Sequence, residues 1–211
     1  MGVCRKSIRV DKNKNKKSMK KLLVFFLVLL SSITYSQTFN GIYVGQTYHK
    51  TDSLLKTIGF RLDNSLNIQK PDIKTYIGEL NGEKTNVFLV LTKTNKMVWK
   101  LVVDVKENYD WYNTKKDYLA YKEILLEKYG IPKSEYSFFS TPYYDGDGYE
   151  MSAIYLNKCN YLSGWGNDDY TVSLSIISYK KNVSTIRISY ENTKIINIEK
   201  DIEKNKNLKT F

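Results

Sequence analysis

IKTYIGELNGEKTNVFLVLTKTNKMVWKLVVDVK, residues 73–106, decides the fold. Residues 73–80 run into Asn81-Gly82, the dipeptide that best tolerates the positive φ angles of a tight hairpin turn, so the first segment predicts a strand and a hairpin. Residues 85–92 are the return strand, and 93–96 turn the chain into a third, 97–106. There Met97, Trp99, Leu101, Val103 and Val105 share one face, while Val98, Lys100, Val102 and Asp104 share the other. A wholly apolar face has to meet a core.

Upstream, residues 37–46 have extended character. Thr47 can cap a short helix in which Tyr48, Thr51, Leu55 and Ile58 fall at helical spacing, and Gly59 supplies the left-handed stop. Residues 61–72 are polar, end near Pro71 and predict a loop. Downstream, the strongest helix is 115–129, with Thr114 as N-cap. Tyr118, Tyr121, Leu125 and Tyr129 form its apolar stripe, and Gly130 with Pro132 ends it. Further strands are predicted at 135–140, 149–157, 160–165, 171–180 and 183–191, the last two alternating cleanly. Each helix ends in Leu-x-x-x-Gly and precedes at least three strands, a pattern open to two accounts: a duplication, or the ordinary ending of amphipathic helices. The expected fold is α+β, an antiparallel sheet built from two helix-then-meander units with the helices packed on it. It forms a single domain over 37–191 with sub-units at about 37–108 and 109–191. The polar tail, 192–211, carries Ile195, Ile198 and Ile202 at helical spacing and reads as a frayed helix or a disordered extension.

The N-terminal region speaks to compartment. MKKLLVFFLVLLSSITYSQ, residues 19–37, has the basic, apolar and small-residue order of a secretory signal peptide, with cleavage after Ser36 leaving Gln37 as the new terminus. Its unbroken apolar run, Leu22 to Leu30, is about half of what a membrane-spanning helix needs. Residues 1–18 are a start-site extension or a lengthened basic region. Formal charge over all 211 residues is +11, but residues 1–36 hold nine Lys or Arg and one acid; the rest of the chain carries only +3. That balance argues against nucleic acid as a partner, and no stable membrane anchor is expected once the signal is removed. The expected location is the periplasm or the exterior.

Chemistry-bearing residues are few. His49 and Cys159 are the only His and Cys after the leader, too few for a zinc cluster or a His-based catalytic system, so no metal, cofactor or catalytic residue is expected. Asp145 and Asp147 alternate with glycines and raise Ca²⁺, but a wet hairpin turn is the plainer account. Asp168 and Asp169 are adjacent and therefore poorly placed to share one substrate. The aromatic load is high, with 18 Tyr. Tyr143, Tyr144, Tyr149, Tyr161 and Trp165 fall in or beside neighbouring loops, which suits a protein hot spot or sugar stacking.

The segments SSITYSQ, FNGIYVGQT, LKTIGF, YIGELNG and LEKYGIP resemble those of small exported proteins of unknown function from Bacteroidetes. The tandem helix-plus-meander layout is similar in outline to the β-lactamase-inhibitor-protein-like fold and to outer-membrane assembly lipoproteins, although Cys4 precedes the apolar core, where a lipoprotein cysteine would follow it. The resemblance carries over no site residue. With no catalytic constellation and with aromatic loops, the expected function is a non-enzymatic binding or inhibitor-like protein acting on an envelope or extracellular protein, with a carbohydrate-binding or carbohydrate-active accessory protein, and hence a glycan ligand, as the alternative.

Overall fold

The computed structural model describes residues 38–65 and 71–208. The expected signal peptide lies outside the described residues. A two-stranded ribbon, β1 (Thr38–Phe39) and β2 (Ile42–Tyr43), leads into helix α1 (Tyr48–Thr57) and then β3 (Arg61–Asp63), β4 (Ile73–Leu80), β5 (Glu83–Leu91) and β6 (Val98–Asn108). Helix α2 (Trp111–Tyr129) opens the second half and is followed by β7 (Ser134–Phe139), helix α3 (Glu150–Tyr155), β8 (Cys159–Gly166), β9 (Tyr170–Lys180), β10 (Val183–Asn192) and helix α4 (Thr193–Leu208).

Eight strands form one antiparallel sheet in the order β3-β4-β5-β6-β10-β9-β8-β7. Each half is thus a helix followed by a four-strand meander, and the two meanders meet at their last strands. At that seam Val103 lies opposite Ile188 and Leu101 opposite Tyr190. Val87, Leu89, Leu101, Val103, Val105, Val172, Leu174 and Ile186 lie on one face of the sheet and are buried there with Leu55 of α1, Tyr118 and Leu125 of α2, and Ile154 of α3. Tyr76 ties α1 down by donating its hydroxyl to Asp52 at 2.6 Å.

Several expectations are corrected. Residues 61–63 pair with β4 as a short edge strand rather than a loop, Leu62 lying opposite Tyr76. Residues 150–155 are helical, not extended. Asp147 fixes the entry by accepting from the Tyr149 amide at 2.7 Å, and Glu150, Ala153 and Ile154 bury at i, i+3, i+4 against the sheet. Helix α2 starts at Trp111. Its cap is Asp110, which accepts from the Asn113 amide at 2.8 Å, whereas Thr114 is fully buried and bonds the Ser184 hydroxyl. In β6 a register shift opposite Val90 and Leu91 reverses the alternation, so Val98 enters the core and Trp99 is only half-buried.

The polar tail forms α4, which crosses one end of the sheet. Thr193 bonds the carbonyls of Asp168 and Asp169, and Glu199 reaches the β5–β6 turn, accepting from both the amide and the hydroxyl of Thr94. The Thr94 hydroxyl holds the Glu199 carboxyl below its usual range, against the opposing effect of burial. Because the folded-state pKa is depressed, this contribution is complete above the unfolded value of about 4.5 and is lost as pH falls through the folded one. Acidification from about pH 6 to pH 3 should therefore lower amide-exchange protection at Thr94, corrected for intrinsic rate, by about two- to fivefold, the scale of one hydrogen bond's net contribution. Glu199→Gln keeps an acceptor but should remove the pH dependence; an unchanged profile in that variant would assign the effect elsewhere.

Candidate functional site

The five aromatic residues singled out in the sequence do not form one surface. Tyr144 and Tyr149 are 66% and 65% exposed and Tyr143 is half-buried, all three on the loop between β7 and α3. Tyr161 and Trp165 are only 7% and 3% exposed. They alternate with Leu162 and Gly164 along β8, and their parity turns them toward the helices. Tyr161 packs edge-on against Trp111 and Tyr118, with ring centroids 5.2 and 5.6 Å apart. Trp165 donates its indole N–H to the Gly130 carbonyl at 2.7 Å, joining β8 to the end of α2. Both are core residues, a correction to their expected exposure.

The acids of the loop serve the turn. Asp145 accepts from the Trp111 indole at 2.6 Å and from Lys115 at 2.5 Å, and the Lys115 ammonium holds its carboxyl below the usual range. Asp147 accepts from the amides of Tyr144 and Tyr149, and Glu150 from that of Gly146. Among the described residues no group of three or more His, Cys, Asp or Glu side chains is placed to hold a metal ion. Asp168 and Asp169 lie exposed in the β8–β9 turn, and His49 is exposed on α1. Cys159 is half-buried at the start of β8, where burial pushes its thiol pKa up to about 12, so it is a weak nucleophile.

A different surface emerges from the strands. Helices α1, α2 and α3 share one face of the sheet, and among the described residues no helix is laid along the other. That outer face carries Ile77, Phe88, Val90, Leu162 and Ile177, all half-buried, around the buried Val102. Serines and threonines of β9 and β10, among them Ser173, Ser175 and Ser189, lie between them.

A charged cluster sits in the middle. Arg187 of β10 clasps Asp104 of β6 through two parallel bonds, Nε to Oδ1 at 2.7 Å and Nη2 to Oδ2 at 2.8 Å. Tyr179 of β9 donates its hydroxyl to the same carboxylate at 2.7 Å, and the guanidinium also contacts its ring and hydroxyl. The Asp104 side chain is 1% exposed. Burial disfavours the Arg187 charge, but the Asp104 carboxylate more than offsets it and raises its pKa. Burial, reinforced by Asp104, likewise pushes the Tyr179 phenol well up. Beside the cluster a cavity of about 200 Å³ opens between Asn86, Asp104, Glu107, Tyr109, Tyr179 and Thr185. Lys100 and Glu191 form a second bridge, 2.7 Å, nearer the other end of the strands.

The signal for this surface was present in the alternation: Lys100, Val102 and Asp104 on one strand and Arg187 and Ser189 on another mark a second face. What the sequence does not contain is the β6–β10 pairing that brings Asp104 and Arg187 together. Comparison with known proteins adds no family to this geometry: no family model, no curated protein and no solved structure matches the chain.

Proposed function

We propose that this protein is an exported, non-enzymatic binding module of the inhibitor-like kind, which engages an envelope or extracellular protein through the outer face of its sheet. The observation that carries the reading is that face itself. Half-buried aliphatic and aromatic side chains surround a fixed ion pair on a rigid sheet that the described helices leave open. Apolar anchors around a polar centre suit a protein partner, and a pre-organised sheet limits the ordering cost of association. The one acid of the central cluster, Asp104, is occupied by Arg187 and Tyr179, which favours recognition over proton transfer. The leader at residues 19–36 supports export to the periplasm or exterior. The burial of Tyr161 and Trp165 takes two of the five rings away from a glycan site and from a loop-based protein site alike.

The test uses protein recovered from the producing cell after processing, its N terminus sequenced at Gln37. The bait captures stoichiometric partners from an envelope extract. Ile177→Glu and Phe88→Glu should each weaken capture at least about tenfold, a hot-spot-sized loss, while Tyr144→Ala with Tyr149→Ala leaves it unchanged. Loss of the partner only in the tyrosine variant would move the site to the β7–α3 loop. A glycan array positive for the wild type, with no protein recovered, would favour the carbohydrate reading.

A further inference from the structure

The sheet has two edges, and they differ. Strand β3 is three residues long, short enough to offer little to a pairing strand. Strand β7, Ser-Glu-Tyr-Ser-Phe-Phe, is six residues long, contains no Lys, Arg or Pro, and pairs with β8 without a bulge. Its one acid, Glu135, is bridged to Lys122 of α2 at 2.5 Å. On the outer face Tyr136 and Phe138 are 52% and 51% exposed and lean edge-on against each other, ring centroids 6.4 Å apart. A strand of this composition at an open edge is a template for further pairing.

The backbone defines what it can pair with. The Ser140 amide donates to the Lys158 carbonyl at 2.7 Å while Phe139 lies opposite Cys159. The polar groups of Tyr136 and Phe138, which share the parity of Ser140, therefore point toward β8, and those of Glu135, Ser137 and Phe139 point away from the sheet. No described strand pairs with that side of β7.

We propose that β7 pairs antiparallel with β7 of a second copy of this chain about a two-fold axis through Ser137. In this register Ser137 meets the partner's Ser137 and Glu135 meets the partner's Phe139, so every outward N–H and C=O of the three residues is used. Sliding to either neighbouring register leaves one of the three opposite a residue outside the strand. On the outer face Tyr136 lies opposite the partner's Phe138 at non-hydrogen-bonded positions, where cross-strand side chains are closest. The electrostatics agree: the acids are not opposed, and each keeps its own lysine. The assembly closes, because its new edges are the short β3 strands, and its two outer faces become one continuous surface.

Sedimentation or light scattering on the processed wild-type protein, over a range of concentration, tests this without reference to any partner. A monomer–dimer equilibrium is expected. Ser137→Pro removes an outward N–H without touching the β8 ladder, and Phe138→Lys adds a charge at the seam. Each should return the mass to that of a monomer, and Phe138→Lys should shift Tm by no more than about 2 °C, as expected for a surface substitution. Ser137→Cys should cross-link on mild oxidation and Glu135→Cys should not; Cys159 stays silent because it is half-buried. A monomer at every concentration overturns the proposal, as does a dimer that survives both Ser137→Pro and Phe138→Lys, or cross-linking by Glu135→Cys as efficient as by Ser137→Cys. Because mass is the readout, failure here leaves the outer-face reading untouched.

Discussion

Arg187→Met is expected to lower the unfolding free energy by about 3–5 kcal/mol, seen as a fall in Tm on the order of 10 °C and a matching drop in the urea midpoint. The reason lies with the partner left behind. The Asp104 carboxylate is 1% exposed and receives two bonds from the guanidinium. Without Arg187 the Asp104 carboxylate is left in the sheet with the Tyr179 hydroxyl but no countercharge, and an uncompensated buried charge costs far more than the pair contributes when intact. Removing both charges should restore most of the loss, so Asp104→Leu combined with Arg187→Met is expected to lie within about 1–2 kcal/mol of wild type. If the single variant lost under about 1 kcal/mol, the cluster would rank with exposed ion pairs, and the claim of a fixed polar centre would fail.

Trp165→Ala is expected to cost about 3–5 kcal/mol, the range for deleting a buried large aromatic side chain. The indole is in the core, and its N–H joins β8 to the Gly130 carbonyl that closes α2. Trp165→Phe separates these contributions: most of the packing is retained, and the loss should fall to about 1–2 kcal/mol. Tyr144→Ala, on the exposed loop, should stay within about 0.5 kcal/mol of wild type. The comparison, read by chemical denaturation, distinguishes a structural from an interfacial aromatic. A Trp165→Ala protein as stable as wild type would return that residue to the surface.

The strands most legible in the sequence were those whose two faces differ. The 73–80 segment is reproduced to the residue because Asn81-Gly82 fixes its end, and both residues take positive φ, 53° and 80°. Residues 150–155 differ from the strand expected there because an apolar run this short fits either period, and only the Asp147 turn and the sheet beneath select the helix. Thr114, a good capping residue by type, is drawn into the interior by Ser184, 70 residues away, and the cap falls to Asp110. The aromatic site failed for a related reason. Tyr161 and Trp165 sit beside polar, Gly-rich sequence, and only pairing between β8 and β9 determines which face they take. The outer-face cluster needed a contact spanning 83 residues, which local pattern does not contain.

The seam between β6 and β10 has a kinetic consequence. Every other strand pair in the eight-stranded sheet joins consecutive strands of one meander, whereas β6 and β10 are separated by two helices and three other strands. Closing that loop costs more chain entropy than any hairpin, though the cost rises only logarithmically with length. Each meander can therefore gather its local contacts early, and zipping of the seam becomes the late step that the whole sheet waits on. Substitutions in the seam should then act mainly on the rate of unfolding, while those in the 80–83 hairpin should act mainly on the rate of folding.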